Sequence, residues 1–133
     1  MTASLAQLHR IARTERARRQ TAWAAEGQHQ SDRARHDDVI WSNIVMMVGQ
    51  AAGDRDCLKD GRLRWNSQQV DVMERRTRAT ALQMESKLDM SDPKDLNLVR
   101  GLWQLYRWVR EQNPAFATAG PEYLRAPQEG TPT

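Results

Sequence analysis

Between Val39 and Val48 the chain reads VIWSNIVMMV, and no other stretch limits the fold so strongly. Taken as a helix, it turns Ile40, Trp41, Ile44, Val45, Met47 and Val48 over a wide arc, with Val39 and Met46 outside it. A helix that is apolar most of the way round is stable only where neighbours cover it on several sides. The run is far too short to cross a membrane. The rest of the chain must therefore supply the cover, which places this segment at the centre of a bundle.

Three other segments have helical period, and no stretch alternates as a strand would. The first runs from about Ser4 to Glu26, with Ser4 as cap, Gln7 completing a capping box and Gly27 as its stop. Leu5, Leu8, Ile11, Ala12, Ala22 and Trp23 share its apolar face. The central helix enters through Ser31 and runs from about Asp32 to Ala52. The next begins at Asn66, a good cap with Gln69 three residues on. It carries a narrow stripe of Val70, Met73, Thr77, Ala81, Met84 and Leu88. The last begins at Asp92 with Pro93 in the first turn and ends at Asn113-Pro114. Its apolar face is Leu96, Val99, Leu102, Trp103, Tyr106 and Val109.

The expected fold is all-α: a small antiparallel bundle of about four helices in residues 1–113. Between the second and third helices lies a short loop or hairpin insertion around Asp60-Gly61. Residues 114–133 carry Pro114, Pro121, Pro127 and Pro132 and are expected to form a flexible, extended tail. At 133 residues this is one domain, and 39% hydrophobic residues give it only a small core. Cys57 is the one cysteine, so neither an internal disulfide nor a cysteine zinc site is available. With no signal-peptide run, the chain is expected to be cytoplasmic and free of membrane.

No motif of enzyme chemistry withstands inspection. His36-Asp37 resembles the dyad of metal-dependent phosphohydrolases, but the only other histidines are His9 and His29. Asp54, Asp56 and Asp60 crowd a loop without EF-hand spacing, since Leu58 stands at position five and Trp65 at twelve. Cys57 has no base beside it in the sequence. The expectation is a protein with no catalytic residue, metal, cofactor or small-molecule substrate.

Charge is uneven. Net charge is +3 over the whole chain, and the segment Leu8 to Trp23 alone holds five arginines against Glu15. Arg10, Arg13, Arg16 and Arg19 recur at steps of three, and like charges at that spacing repel by roughly 0.2–0.5 kcal/mol a pair. Glu15 can pair with Arg18 and Arg19. Arg10, Arg13 and Arg16 have no carboxylate three or four residues away on either side, so an anion laid against the helix would relieve them. A step of three also drifts by about 60°, so the row winds obliquely. A weaker patch is Arg75, Arg76 and Arg78, where Asp71 and Glu74 stand four residues before Arg75 and Arg78. Arg100 has no such partner, whereas Arg107 can pair with Glu111. The candidate nucleic-acid contacts are thus Arg10, Arg13, Arg16, Arg19, Arg75, Arg78 and Arg100. Of five tryptophans, Trp23, Trp41 and Trp103 fall on apolar faces and read as core, and Trp65 can staple its loop to the bundle. Trp108 projects sideways and is the candidate partner interface.

A basic, all-helical chain of this size, with Arg-rich faces such as RIARTERARR and MERRTRA, resembles the small subunit of multisubunit (Class 1) CRISPR effector complexes, over about residues 4–113. The reduced type IV systems would suit its size. That resemblance implies a non-catalytic subunit stacked in several copies along a ribonucleoprotein used in antiviral defence. Its partners would be other subunits, copies of itself, and guide RNA or target nucleic acid. Two other readings remain open: a free-standing DNA-binding regulator, and a protein-only adaptor or inhibitor that meets an acidic partner surface.

Overall fold

The structure, a computed structural model, describes residues 3–59, 61 and 63–115. Its elements are α1 (Leu5–Ala25), α2 (Asp32–Ala51), α3 (Arg55–Leu58), α4 (Ser67–Lys87) and α5 (Pro93–Glu111), with no strand among the described residues. No helix among them is long and apolar enough to cross a membrane.

Local chemistry sets the ends. Ser4 and Asn66 each form a full capping box, with Gln7 and Gln69 as reciprocal partners, satisfying amides that the first turn leaves unpaired. Ser31 and Asp92 cap α2 and α5 in the same sense. After α1 and α2 the backbone turns left-handed at Gly27 (φ 70°) and Gly53 (φ 77°), where a side chain would be strained.

α1 packs on α2 and α5, and α4 packs on α5 and α2, so the four long helices close a ring in the order α1, α2, α4, α5. Side-chain bonds fix the directions. Arg16 near the middle of α1 reaches Asp38 near the start of α2, and Trp103 of α5 reaches Glu85 near the end of α4. Each neighbouring pair is antiparallel. The main core joins Leu8 and Ala12 of α1, Ile40, Trp41, Ile44, Met47 and Val48 of α2, Val70 and Met73 of α4, and Leu105 and Val109 of α5. Ala81, Met84, Val99 and Leu102 form a smaller cluster between α4 and α5, with Ile11 packed against both. Burying side chains of this kind contributes about 1.5–3 kcal/mol each.

The insertion is a turn of helix. Asp54 caps α3 by accepting from the amides of Asp56 and Cys57, which is the structural use of one of the clustered aspartates. Gln50 holds the insertion from both sides: its Nε2 donates to the Cys57 carbonyl at 3.1 Å, and its Oε1 accepts from the Leu63 amide at 3.1 Å. Trp65 staples the far end, with Nε1 donating to Asn43 Oδ1 at 3.3 Å. Asp60 and Arg62 of the expected hairpin lie outside the described residues. So does the expected tail, apart from Pro114 and Ala115, which are helical rather than extended.

Candidate nucleic-acid interface

The arginine row of α1 divides because it winds. Three steps of about 60° carry it half-way round the helix, so its two ends face different neighbours. Arg19 turns inward. Its Nε donates to Glu15 Oε2 at 2.9 Å, Nη1 to Asp37 Oδ1 at 3.0 Å and Nη2 to the Thr80 hydroxyl at 2.7 Å, while its guanidinium lies 5.2 Å above the Trp41 ring. Asp37 is buried. It also accepts from Arg76 and, at 3.1 Å, from Trp23 Nε1. Arg18 pairs with Glu15, as the spacing of three predicts.

Arg16 lies against α2. Its Nε and Nη2 donate to the two oxygens of Asp38 at 2.9 and 3.0 Å, a bidentate pair. That contact holds the Asp38 carboxyl below its ordinary range and raises the Arg16 guanidinium, burial opposing both shifts. Spacing along α1 marks Arg16 and Arg19 as candidate anion contacts. The structure corrects this: both are taken up by carboxylates of a neighbouring helix, which spacing within one helix does not reveal.

Arg13 is exposed on α1, and Arg75 and Arg78 are exposed on α4; none of the three makes an ion pair among the described residues. The expected pairs of Arg75 with Asp71 and of Arg78 with Glu74 do not form. Asp71 instead accepts from Asn113 Nδ2 at 2.7 Å, tying the end of α5 to α4, and Arg76 is the residue of this group that is engaged.

Arg10 faces the other way, into a groove of about 740 Å³ between α1 and α5. Arg100 and Arg107 line it from α5, together with Gln7, Asn97 and Trp103. None of these three arginines has an ion-pair partner among the described residues; Glu111, the expected partner of Arg107, does not engage it. The floor is a close crossing of helices: a Cβ at Gly101 would lie 2.6 Å from Ile11 Cδ1. Ala3 fixes the upper edge, its amide donating to Gln104 Oε1 at 3.0 Å.

Arg107 and Trp103 are among the groove residues that sequence reasoning missed. Their signal was there, since Arg100, Trp103 and Arg107 stand at i, i+3 and i+7 on one helix face. Trp103 is half-buried, not enclosed. Trp108, expected to project freely, is also half-buried and packs on the main core cluster, so its helical phase is corrected.

Two other constellations bear on chemistry. His36 is exposed while its neighbour Asp37 is buried among Arg19, Arg76 and Trp23, so the two form no joint site. Cys57, by contrast, does have a base beside it: His9 Nε2 lies 3.7 Å from its Sγ, and His9 Nδ1 lies 3.9 Å from Asp54 Oδ2. The order of groups is that of a nucleophile, base and carboxylate, but both the thiol and the imidazole are buried. Burial, then the charge of Asp54, pushes the thiol up. Burial, then Arg13, lowers the imidazole, against the pull of Asp54. These shifts favour a neutral pair, the opposite of an activated thiolate. Gly49 admits the pair, since a Cβ there would stand 2.2 Å from Cys57 Sγ and 2.8 Å from His9 Nε2.

No family model, curated protein or solved structure matches the chain.

Proposed function

We propose that this chain is a non-catalytic, nucleic-acid-binding helical subunit of a ribonucleoprotein, and that the α1–α5 groove is where it meets the phosphate backbone. The observation that carries this reading is the grouping of Arg10, Arg100 and Arg107 around one groove without a carboxylate partner among the described residues, in a bundle where Arg16, Arg19 and Arg76 are neutralised by carboxylates. Guanidinium groups that line one groove without counter-charge make its walls positive, and an anion laid along the groove is attracted to all of them. A polyphosphate chain suits three such groups better than a single ion does, because each neutralised phosphate releases condensed counterions and adds affinity without sequence preference.

The helix number, the size and the Arg-rich faces support the more specific form of this reading, a small subunit of a CRISPR effector stacked in several copies. A groove of modest intrinsic affinity suits such an assembly, where repeated weak contacts multiply. A free-standing DNA regulator fits less well. It needs a convex helix to enter the major groove, whereas Arg10, Arg100 and Arg107 line a concavity.

The test is the triple substitution Arg10→Gln, Arg100→Gln, Arg107→Gln. Helicity and melting temperature are expected to hold, since Gln is nearly as good a helix former as Arg. Affinity for mixed-sequence oligonucleotides should fall roughly tenfold or more at low salt. The slope of log affinity against log salt should shrink by roughly 0.7 for each phosphate no longer neutralised on a single strand. Unchanged binding with an unchanged slope would refute the reading. Preferential capture of an acidic protein surface would favour the adaptor instead.

A further inference from the structure

We infer that the α1–α5 groove takes a single-stranded polynucleotide, with one base stacked on Trp103 between phosphates held by Arg100 and Arg107. This rests on the backbone-binding reading above and adds to it a strand state and a base subsite.

The row Arg100, Trp103, Arg107 alternates cation, aromatic ring and cation along one face of α5, and all three line the groove. Its ends are about 10.5 Å apart along the helix axis. Trp103 is held in place rather than left to rotate. Its Nε1 donates to Glu85 Oε1 at 3.1 Å, and its ring meets that of Tyr106 edge-on, at 5.7 Å and 83°. Tyr106 is covered in turn by the Arg110 guanidinium, 5.3 Å above it. The indole is therefore preorganised, with its polar edge satisfied away from any ligand. What it offers the groove is apolar ring surface, which suits the face of a nucleobase.

Strand state follows from shape. In a duplex the bases stack on one another, and their faces are closed to a ring recessed between two helices. A single strand presents both phosphates and base faces, and the groove offers a partner for each. The amides of Gln7 and Asn97 at its walls can donate to or accept from a base edge. An acidic peptide would meet the three guanidiniums but would leave the indole without a flat partner.

The experiment measures binding of the full chain to four ligands of equal length: oligothymidine, oligouridine, an abasic phosphodiester and a DNA duplex. Oligothymidine and oligouridine should each bind roughly tenfold more tightly than the abasic chain, the range expected for one stacked base. Trp103→Leu should close that gap, and Trp103→Phe should keep most of it. Should Trp103→Leu not fold, because Trp103 also packs on the smaller core cluster, the comparison on the unaltered protein decides. Equal affinity for abasic and base-bearing strands overturns the inference. So does tighter binding to the duplex. In both cases the backbone reading stands, provided that the arginine triple still abolishes binding. If no nucleic acid binds while polyglutamate does, the backbone reading and the inference fall together.

Discussion

On the α2 side of α1, Arg16 meets Asp38, and Arg19 meets Glu15 and Asp37. On the α5 side, Arg10 faces Arg100 and Arg107 across a groove, and no carboxylate among the described residues pairs with any of them. One residue type on one helix thus supports the fold on one side and leaves charge uncompensated on the other. What differs is the neighbour. α2 opens with Asp32, Asp37 and Asp38, whereas the uncharged polar residues that α5 brings to the groove are Asn97 and Gln104. An arginine's role in a bundle is set by what the adjacent helix brings, and counting charges along a single helix does not reveal it.

Removing the hub of the paired side gives the largest effect. Asp37→Ala leaves Arg19 and Arg76 without their shared carboxylate, and Trp23 Nε1 without an acceptor. Breaking a buried pair in this way costs about 3 kcal/mol, so urea unfolding should show a clearly lower midpoint. A loss under about 1 kcal/mol would mean that the network is solvated and the contrast between the two sides is overdrawn.

Asn97→Asp makes the groove resemble the paired side. The new carboxylate stands three residues before Arg100 and can pair with it for roughly 0.2–0.5 kcal/mol. Stability should hold or rise slightly while oligonucleotide affinity falls several-fold. If affinity is unchanged in a binding titration, Arg100 does not touch the ligand.

The smallest effect is one of pH. His9 is buried against Cys57, near Arg13 and Asp54, and its pKa is lowered. The unfolded chain therefore binds a proton more readily than the folded one. Stability from this group is fully present above about pH 6.5 and declines as pH falls from there toward the folded-state value. Asp38 adds a second decline below the ordinary aspartate range, because its folded pKa is also lowered. Between pH 5 and 8 the melting temperature should drop toward the acid side while groove affinity stays level. An affinity that follows the His9 titration would show that the groove and the thiol–imidazole pair are coupled.

Much of the fold is legible in short-range chemistry. Ser4 with Gln7, Asn66 with Gln69, Ser31, Asp92 with Pro93, and the stops at Gly27 and Gly53 act within a few residues, and the structure places every one of them at a helix end. α3 is not legible, because it is a single turn held by Gln50 from another helix. At the candidate site the same boundary holds. Glu15 with Arg18 and Arg19 lies within one helix and follows from spacing, whereas Arg16 with Asp38 and Arg19 with Asp37 bridge 22 and 18 residues and do not. Cys57 and His9 meet across 48 residues. Periodicity misplaces Trp103 and Trp108 in opposite directions, because the apolar arc of α5 is wide enough to be centred in more than one way.

The groove lies between α1 and α5, and the bond that closes its edge, from Ala3 to Gln104, spans 101 residues. During synthesis, therefore, α1 leaves the ribosome with Arg10 exposed, but no binding cleft exists until residues as far as Arg107 have emerged and folded back. On the proposed function, capture of a polyanion would wait for completion of the bundle, because a partly made chain holds one wall of the cleft. On that proposal, the order in which the ribosome releases the helices would set the moment at which binding can begin.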